Sequence, residues 1–226
     1  MALGQLLLLG WGLNQGRQIV SDDPKKIRLP LIIRIILSLS LVLTALLISL
    51  SLRNITGNLL LLGMIFSFIG DLFNAGVIPL KNPRIGGMLA FAPAQILYIA
   101  AFYTLLETGL SLYAGLILAA FWLAIIISWW FFIRNPEKKS ALNLGALIYS
   151  LLLGTMLCFA FITALQLAGW WWMILVGAFL FFISDTIIGI TDFGGLAMIR
   201  PHLWIWLTYI PAQMGILYGA WLGSHL

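Results

Sequence analysis

The sequence predicts an all-α fold, a polytopic transmembrane bundle of about eight helices built as two parallel four-helix repeats. Three observations predict it. Of 226 residues, 62% are hydrophobic and only 8% are charged, whereas a soluble domain carries about 25% charged residues. Apolar runs of about 20 residues, enough to cross a bilayer as a helix, recur along the chain; they are continuous rather than alternating, which argues against the strands of an outer-membrane barrel. Finally, residues 63–76 (GMIFSFIGDLFNAG) return as residues 177–189 (GAFLFFISDTIIG), with Asp71 and Asp185 in the same place 114 positions apart.

Taken in order, residues 2–13 are apolar but short for a span, and no basic segment precedes them as in a signal peptide. They read as a shortened first helix or the remains of one. A polar connector, residues 15–28 with Asp22, Asp23 and Pro24, leads to seven full spans at 30–52, 57–78, 85–105, 109–133, 141–166, 170–191 and 202–223. All 226 residues are expected to form one membrane domain with repeat halves at 1–106 and 107–226.

If alternate loops share a side, ten of the twelve basic residues fall on one side: Arg17, Lys25, Lys26, Arg28, Lys81, Arg84, Arg134, Lys138, Lys139 and Arg200. The other side holds only Arg53, so the basic side is cytoplasmic and both termini are not. Arg34, one turn inside its helix, is expected to snorkel back to the basic side. Trp170, Trp171 and Trp172 read as an interfacial anchor. The net charge of +5 reflects this loop bias, and no nucleic-acid partner is expected. Cys158 lies inside a span, which leaves no internal disulfide and assigns it to packing.

The repeat extends past the acids. In the following helix Pro93-Ala94-Gln95 matches Pro211-Ala212-Gln213, at an offset of 118. An even number of spans separates the copies, so they run the same way through the membrane. An ionised carboxylate at mid-membrane costs about 2.5–3.5 kcal/mol on the insertion scale, so it must face protein or water. At about 1.5 Å per residue, both acids lie about 20 Å from the outer face, with Gln95 and Gln213 near one turn above them. Ser67, Asp71 and Asn74 share a face of one helix, Gln95 and Tyr98 one of the next, and Tyr209 and Gln213 one of the last, while Ser184 adjoins Asp185. These residues are expected to line one cavity.

The acids read as a polar lock between helices, an ion or proton relay, or a catalytic pair. The glutamines read first as interhelical hydrogen bonds. Asp192 and Glu107 are expected at interfaces, solvated. Neither His202 nor His225 has the partners of a metal ligand, and no lysine sits mid-span to form a retinal Schiff base. No metal or other cofactor is expected.

At the glycine-rich motif ending in Gly70-Asp71, at Phe181-Phe182-Ile183-Ser184-Asp185, and at Tyr209 with Ala212-Gln213, the chain resembles the YhhN-type lysoplasmalogenase family of eight-helix membrane proteins. The resemblance covers nearly the whole chain. Where that family usually has Ala-His, this chain has Ala94-Gln95, followed by Tyr98, and the basic entry at residues 26–30 is only loosely similar. The resemblance implies hydrolysis of the vinyl ether bond of a lysoplasmalogen, a single-chain ether phospholipid, to a fatty aldehyde and a glycerophospho-alcohol. Such a bond is cleaved by protonating its β-carbon, after which water adds to the oxocarbenium ion and the hemiacetal collapses.

One carboxyl donates the proton and one carboxylate stabilises the cation and activates water, as paired carboxylates do in glycosidases. Asp71 and Asp185 are the implied pair; Ser67, Asn74, Gln95, Tyr98, Ser184, Tyr209 and Gln213 are the implied substrate contacts, and Arg84 and Lys81 the candidate phosphate contacts. The host membrane is expected to be a bacterial inner membrane. A membrane carrier or a small-molecule or lipid-binding protein with a mid-membrane polar site is the alternative, and an enzyme acting on a different lipid is a third reading.

Overall fold

The computed structural model describes residues 1–19, 27–106 and 111–225, which form eight α-helices with no strand among them. These are α1 (Ala2–Gln18), α2 (Leu31–Leu52), α3 (Ile55–Ala75), α4 (Pro83–Tyr103), α5 (Leu112–Ser128), α6 (Ser140–Leu167), α7 (Trp172–Ile188) and α8 (Pro201–His225). Three short turns of other pitch extend two of the expected spans: π-helix at Trp129–Ile133 after α5 and Gly189–Phe193 after α7, and a 3₁₀ turn at Gly169–Trp171 before α7. The charged centre of the connector, Asp22 to Lys26, lies outside the described residues, as does Glu107.

Local chemistry sets the helix ends. Asn54 caps α3 by accepting from the Gly57 N–H at 2.9 Å, and Gly76 closes that helix in the left-handed region at φ 77°. Asn82 caps α4 ahead of Pro83, accepting from the Arg84 and Ile85 N–H groups. Pro93 and Pro211, the repeat prolines, both lie inside their helices.

Six segments are long and apolar enough to cross a membrane: α2, α3, α4, α6, and α5 and α7 with their adjoining turns. α8 reaches 25 residues but is not among them, since His202, Thr208, Tyr209, Gln213 and Tyr218 dilute its apolar character. α1 runs five residues beyond the expected 2–13, because Gln5, Leu9, Gly12 and Gly16 form one buried stripe. Its Gln5 is fully engaged: Nε2 donates to Ser40 Oγ and Thr44 Oγ1, both at 3.1 Å, and Oε1 accepts from the Tyr218 hydroxyl at 3.2 Å. These bonds tie α1 to α2 and α8.

The tightest pairs are α3 with α4 and α7 with α8, the same pair in each repeat. A repeated glycine lets both close. A Cβ on Gly63 would meet the Tyr98 ring at 2.5 Å, and one on Gly177 would meet the backbone of Ala212 and Ile216 at 2.6 Å. One buried core joins these pairs to α2, with fully buried side chains including Leu37, Leu41, Met64, Phe102, Phe181 and Ile210.

The first helices of the two repeats break the correspondence. α1 wedges between α2 and α8, with Gly12 against Ile33 and Gly16 against Leu203. Its counterpart α5 packs chiefly on α6, and only 11% of its apolar window is buried, against 39–50% for the other five spanning segments. A gap is left where α5 stands away from α4.

Candidate functional site

Asp71 on α3 and Asp185 on α7 are each only 8% exposed, and each meets a hydroxyl from the preceding helix of its own repeat. Ser38 on α2 donates to Asp71 Oδ2 at 2.6 Å, and Tyr149 on α6 donates to Asp185 Oδ2. Asp71 accepts a second bond on the same oxygen from the Tyr209 hydroxyl of α8, at 3.0 Å. That bond crosses from one repeat to the other. The Tyr209 ring is held edge-on by Phe91, Phe181 and Trp206, with centroids 5.6–6.0 Å apart.

The two glutamines, alike in sequence, differ in surroundings. Gln213 accepts from the Tyr98 hydroxyl at 2.9 Å and donates to Ser67 Oγ at 3.2 Å, so three expected site residues form one closed buried network. Gln95 is equally buried and lies beside the Tyr149 hydroxyl, yet neither Nε2 nor Oε1 reaches a hydrogen-bond partner. The expected sharing of a face by Gln95 and Tyr98 therefore resolves into divergence: Tyr98 turns to α3 and α8, and Gln95 to α6. Ser184 donates to the Ile205 carbonyl at 3.3 Å, which joins α7 to α8.

Two cavities meet at these residues. A small one, about 30 Å³, is lined by both acids together with Ser184, Tyr209 and Asn74. That volume accommodates about one water molecule. A larger cleft of about 440 Å³ lies in the gap beside α5, walled by apolar side chains such as Trp129, Phe132, Ile133, Leu153 and Phe182. Its size is within the range of small-molecule pockets, about 300–1,000 Å³. Asp185 lines both cavities, with Tyr149 beside it on the cleft side.

Charged residues gather at one end. Arg28, Arg34 and Arg84 line the small cavity with His202. Arg34 is half-buried and reaches the wall of this cavity beside Arg28 and Arg84, two residues of the basic side to which it is expected to snorkel. Asp192, expected to be solvated, instead pairs with Arg84, Nε to Oδ2 at 2.6 Å, and Arg84 Nη1 also donates to Asn74 Oδ1 at 3.4 Å. The ion pair joins α4 to the π turn after α7. Lys81, the other expected phosphate contact, lines neither cavity.

Three expectations outside the site also sharpen. Of the tryptophan run, Trp170 and Trp172 are exposed but Trp171 is buried against Gly223, so two residues and not three face outward. His225 Nε2 lies 3.3 Å from Ser51 Oγ, and Cys158 is buried in the core. Among the described residues, no group of three His, Cys, Asp or Glu is placed to hold a metal ion.

Ser38, Tyr149 and Arg34 are the site residues that the motifs did not single out. Tyr149 and Ser150 form a polar pair inside an otherwise apolar run, which is a signal available in the sequence. Searches of curated proteins and of solved structures gave no match. The sequence profile of the YhhN family matches residues 29–220, from the entry to α2 to the last turns of α8, and so takes in both acids, both glutamines and the lining of both cavities except Arg28. The chain belongs to the YhhN family.

Proposed function

We propose that the chain hydrolyses the vinyl ether bond of a lysoplasmalogen, with Asp71 and Asp185 as its acid and base pair. The observation that carries this reading is the place of Asp185, at the junction of an apolar cleft of about 440 Å³ and a cell of about 30 Å³ that it shares with Asp71. The cleft accepts a single hydrocarbon chain. The smaller cell accepts the water that hydrolysis consumes. The vinyl ether lies between them, within reach of both carboxyl groups.

In the reaction, one carboxyl transfers its proton to the β-carbon of the vinyl ether, and the ether oxygen shares the resulting positive charge. The other carboxylate stabilises that oxocarbenium ion and takes a proton from water as it adds to the α-carbon. The hemiacetal then breaks its C–O bond to the glycerol, giving the aldehyde and the alcohol, with the proton returned through the pair. Tyr149, Ser38 and Tyr209 hold the carboxyl groups in position, and the unpartnered amide of Gln95 is available to the ether oxygen or to water. Family membership supports a reaction of this type.

The setting fits a bacterial inner membrane with the arginine-rich end in the cytoplasm and the C-terminus outside. A carrier would need a polar path to both faces. The closed Tyr98–Gln213–Ser67 network weighs against such a path through the bundle.

The test is aldehyde release from a lysoplasmalogen by purified protein in detergent, comparing wild type with Asp71→Asn and Asp185→Asn. Loss of activity in both variants is expected. Near wild-type turnover in either one refutes the pair, and solute flux into proteoliposomes without aldehyde release favours the carrier.

A further inference from the structure

We infer that Arg28, Arg34 and Arg84 form a binding site for a phosphate group at the mouth of the small cavity, an inference that builds on the proposed lipid hydrolysis by naming what holds the polar end. The three guanidinium groups come from three places: the stretch before α2, the first turn of α2, and the start of α4. They converge on one cavity wall, and His202 lines it too. Each lies within electrostatic range of the others. Like charges this close repel unless an anion lies among them.

Among the described residues, Asp71 and Asp185 line the same cavity and Asp192 adjoins it, so three carboxyl groups face three guanidinium groups; with one carboxyl protonated, as the proposed reaction requires, one positive charge is left over. Asp192 pairs with Arg84 and is the one salt bridge among the described residues. Asp71 lies within electrostatic range of Arg34, but its Oδ2 is already engaged by Ser38 and Tyr209, and no hydrogen bond joins it to the guanidinium. Arg34 Nε is buried and has no hydrogen-bond partner. A buried N–H of this kind costs stability until an acceptor reaches it. Orientation of the chain by basic loops accounts for Arg28 and Arg84, but not for a guanidinium carried inside a helix with its Nε buried.

A phosphate suits this arrangement better than a carboxylate-sized ligand does. A phosphate monoester offers three non-bridging oxygens and the phosphodiester of a lysophospholipid two, which can accept from separate guanidinium forks, and arginine is the side chain whose planar donors match them. The small cavity itself has room for about a water molecule, so the phosphate sits at its mouth, where Arg28 is exposed. Arg84 lines the apolar cleft as well as the polar cavity. A phosphate held there leaves the attached glycerol and its chain pointing past Asp185 into the cleft.

The shared chemistry is a phosphate ester or free phosphate, and binding assays separate the two. The probes are a saturated 1-O-alkyl-glycerophosphate lipid, the 1-O-alkylglycerol of equal chain length, and inorganic phosphate, each titrated into the full-length protein with tryptophan fluorescence as readout. Since the saturated ether is inert to vinyl ether chemistry, the result does not depend on whether the chain is a hydrolase. The phosphate lipid is expected to bind about 10- to 100-fold more tightly than the alkylglycerol. Arg34→Gln and Arg28→Gln are each expected to shrink that ratio. Arg28 is exposed, so its variant remains informative if the Arg34 variant fails to fold. Inorganic phosphate binding as tightly as the phosphate lipid, and lost in the same variants, supports the site with free phosphate as its occupant. Equal affinity for the two lipids with no binding of inorganic phosphate, or a ratio untouched by Arg28→Gln and by a folded Arg34→Gln, overturns the inference.

Discussion

Replacing Tyr149 by phenylalanine removes one hydroxyl from the site and leaves the ring in the cleft wall. Among the described residues, Asp185 accepts from the Tyr149 hydroxyl, whereas Asp71 accepts from both Ser38 and Tyr209. A hydrogen bond to a charged group contributes about 1.5–3 kcal/mol. If that bond positions Asp185 for proton transfer, its loss lowers turnover by about 10- to 150-fold, at about 1.4 kcal/mol per factor of ten. Tyr209→Phe leaves the 2.6 Å bond from Ser38 in place, and its effect is held to about 3- to 10-fold, closer to one ordinary hydrogen bond. The assay is the initial rate of aldehyde release at saturating lysoplasmalogen, with thermal unfolding of each variant to confirm folding. Wild-type turnover in a folded Tyr149→Phe, or a larger loss in Tyr209→Phe, refutes the reasoning.

Two further outcomes follow from packing. Gly177→Ala drives a methyl group into backbone atoms of α8 at 2.6 Å, while Gly63→Ala meets a side chain, the Tyr98 ring, at 2.5 Å. Overpacking costs about 1–3 kcal/mol, and backbone yields less than a ring, so thermal unfolding places Gly177→Ala below Gly63→Ala and both below wild type. Gln95→Met replaces a buried amide without hydrogen-bond partners by an apolar side chain of similar size. It is expected to raise the unfolding temperature, since an unsatisfied buried polar group costs about 1–3 kcal/mol, and to lower aldehyde release; a lower unfolding temperature contradicts the assignment.

Helices and acids were legible because each leaves a local mark. A run of apolar residues declares a span, and a carboxylate within one is conspicuous. The face shared by Ser67, Asp71 and Asn74 follows from helical spacing, and the structure turns all three inward, Ser67 into the glutamine network and the others into the small cavity. The hydroxyl partners of the acids were not legible, because the repeat does not preserve their positions. At the offset that superposes the acids, Ser38 aligns with Leu152 and Tyr149 with Ile35. Self-comparison finds what both copies kept, and each copy solved the placing of its carboxyl group differently. The pairing of Arg84 with Asp192 was hidden for another reason: it joins residues distant in sequence, and either alone reads as an ordinary charge at a helix end. Gln95 shows the opposite failure, since identical Pro-Ala-Gln triplets implied identical roles, and packing against different neighbours separated them.

The stand-off of α5 bears on how a ligand arrives. Because α1 fills the corresponding gap in the first repeat, Asp71 borders the polar cell but not the cleft, while Asp185 also borders a chamber whose outer wall is one lightly packed helix. On the proposed function, this gap gives a lipid dissolved in the bilayer a sideways route past α5 that does not pass through water. The two like halves present equivalent acids, and the looser packing of one helix gives Asp185 a second opening, so the bundle has a front and a back.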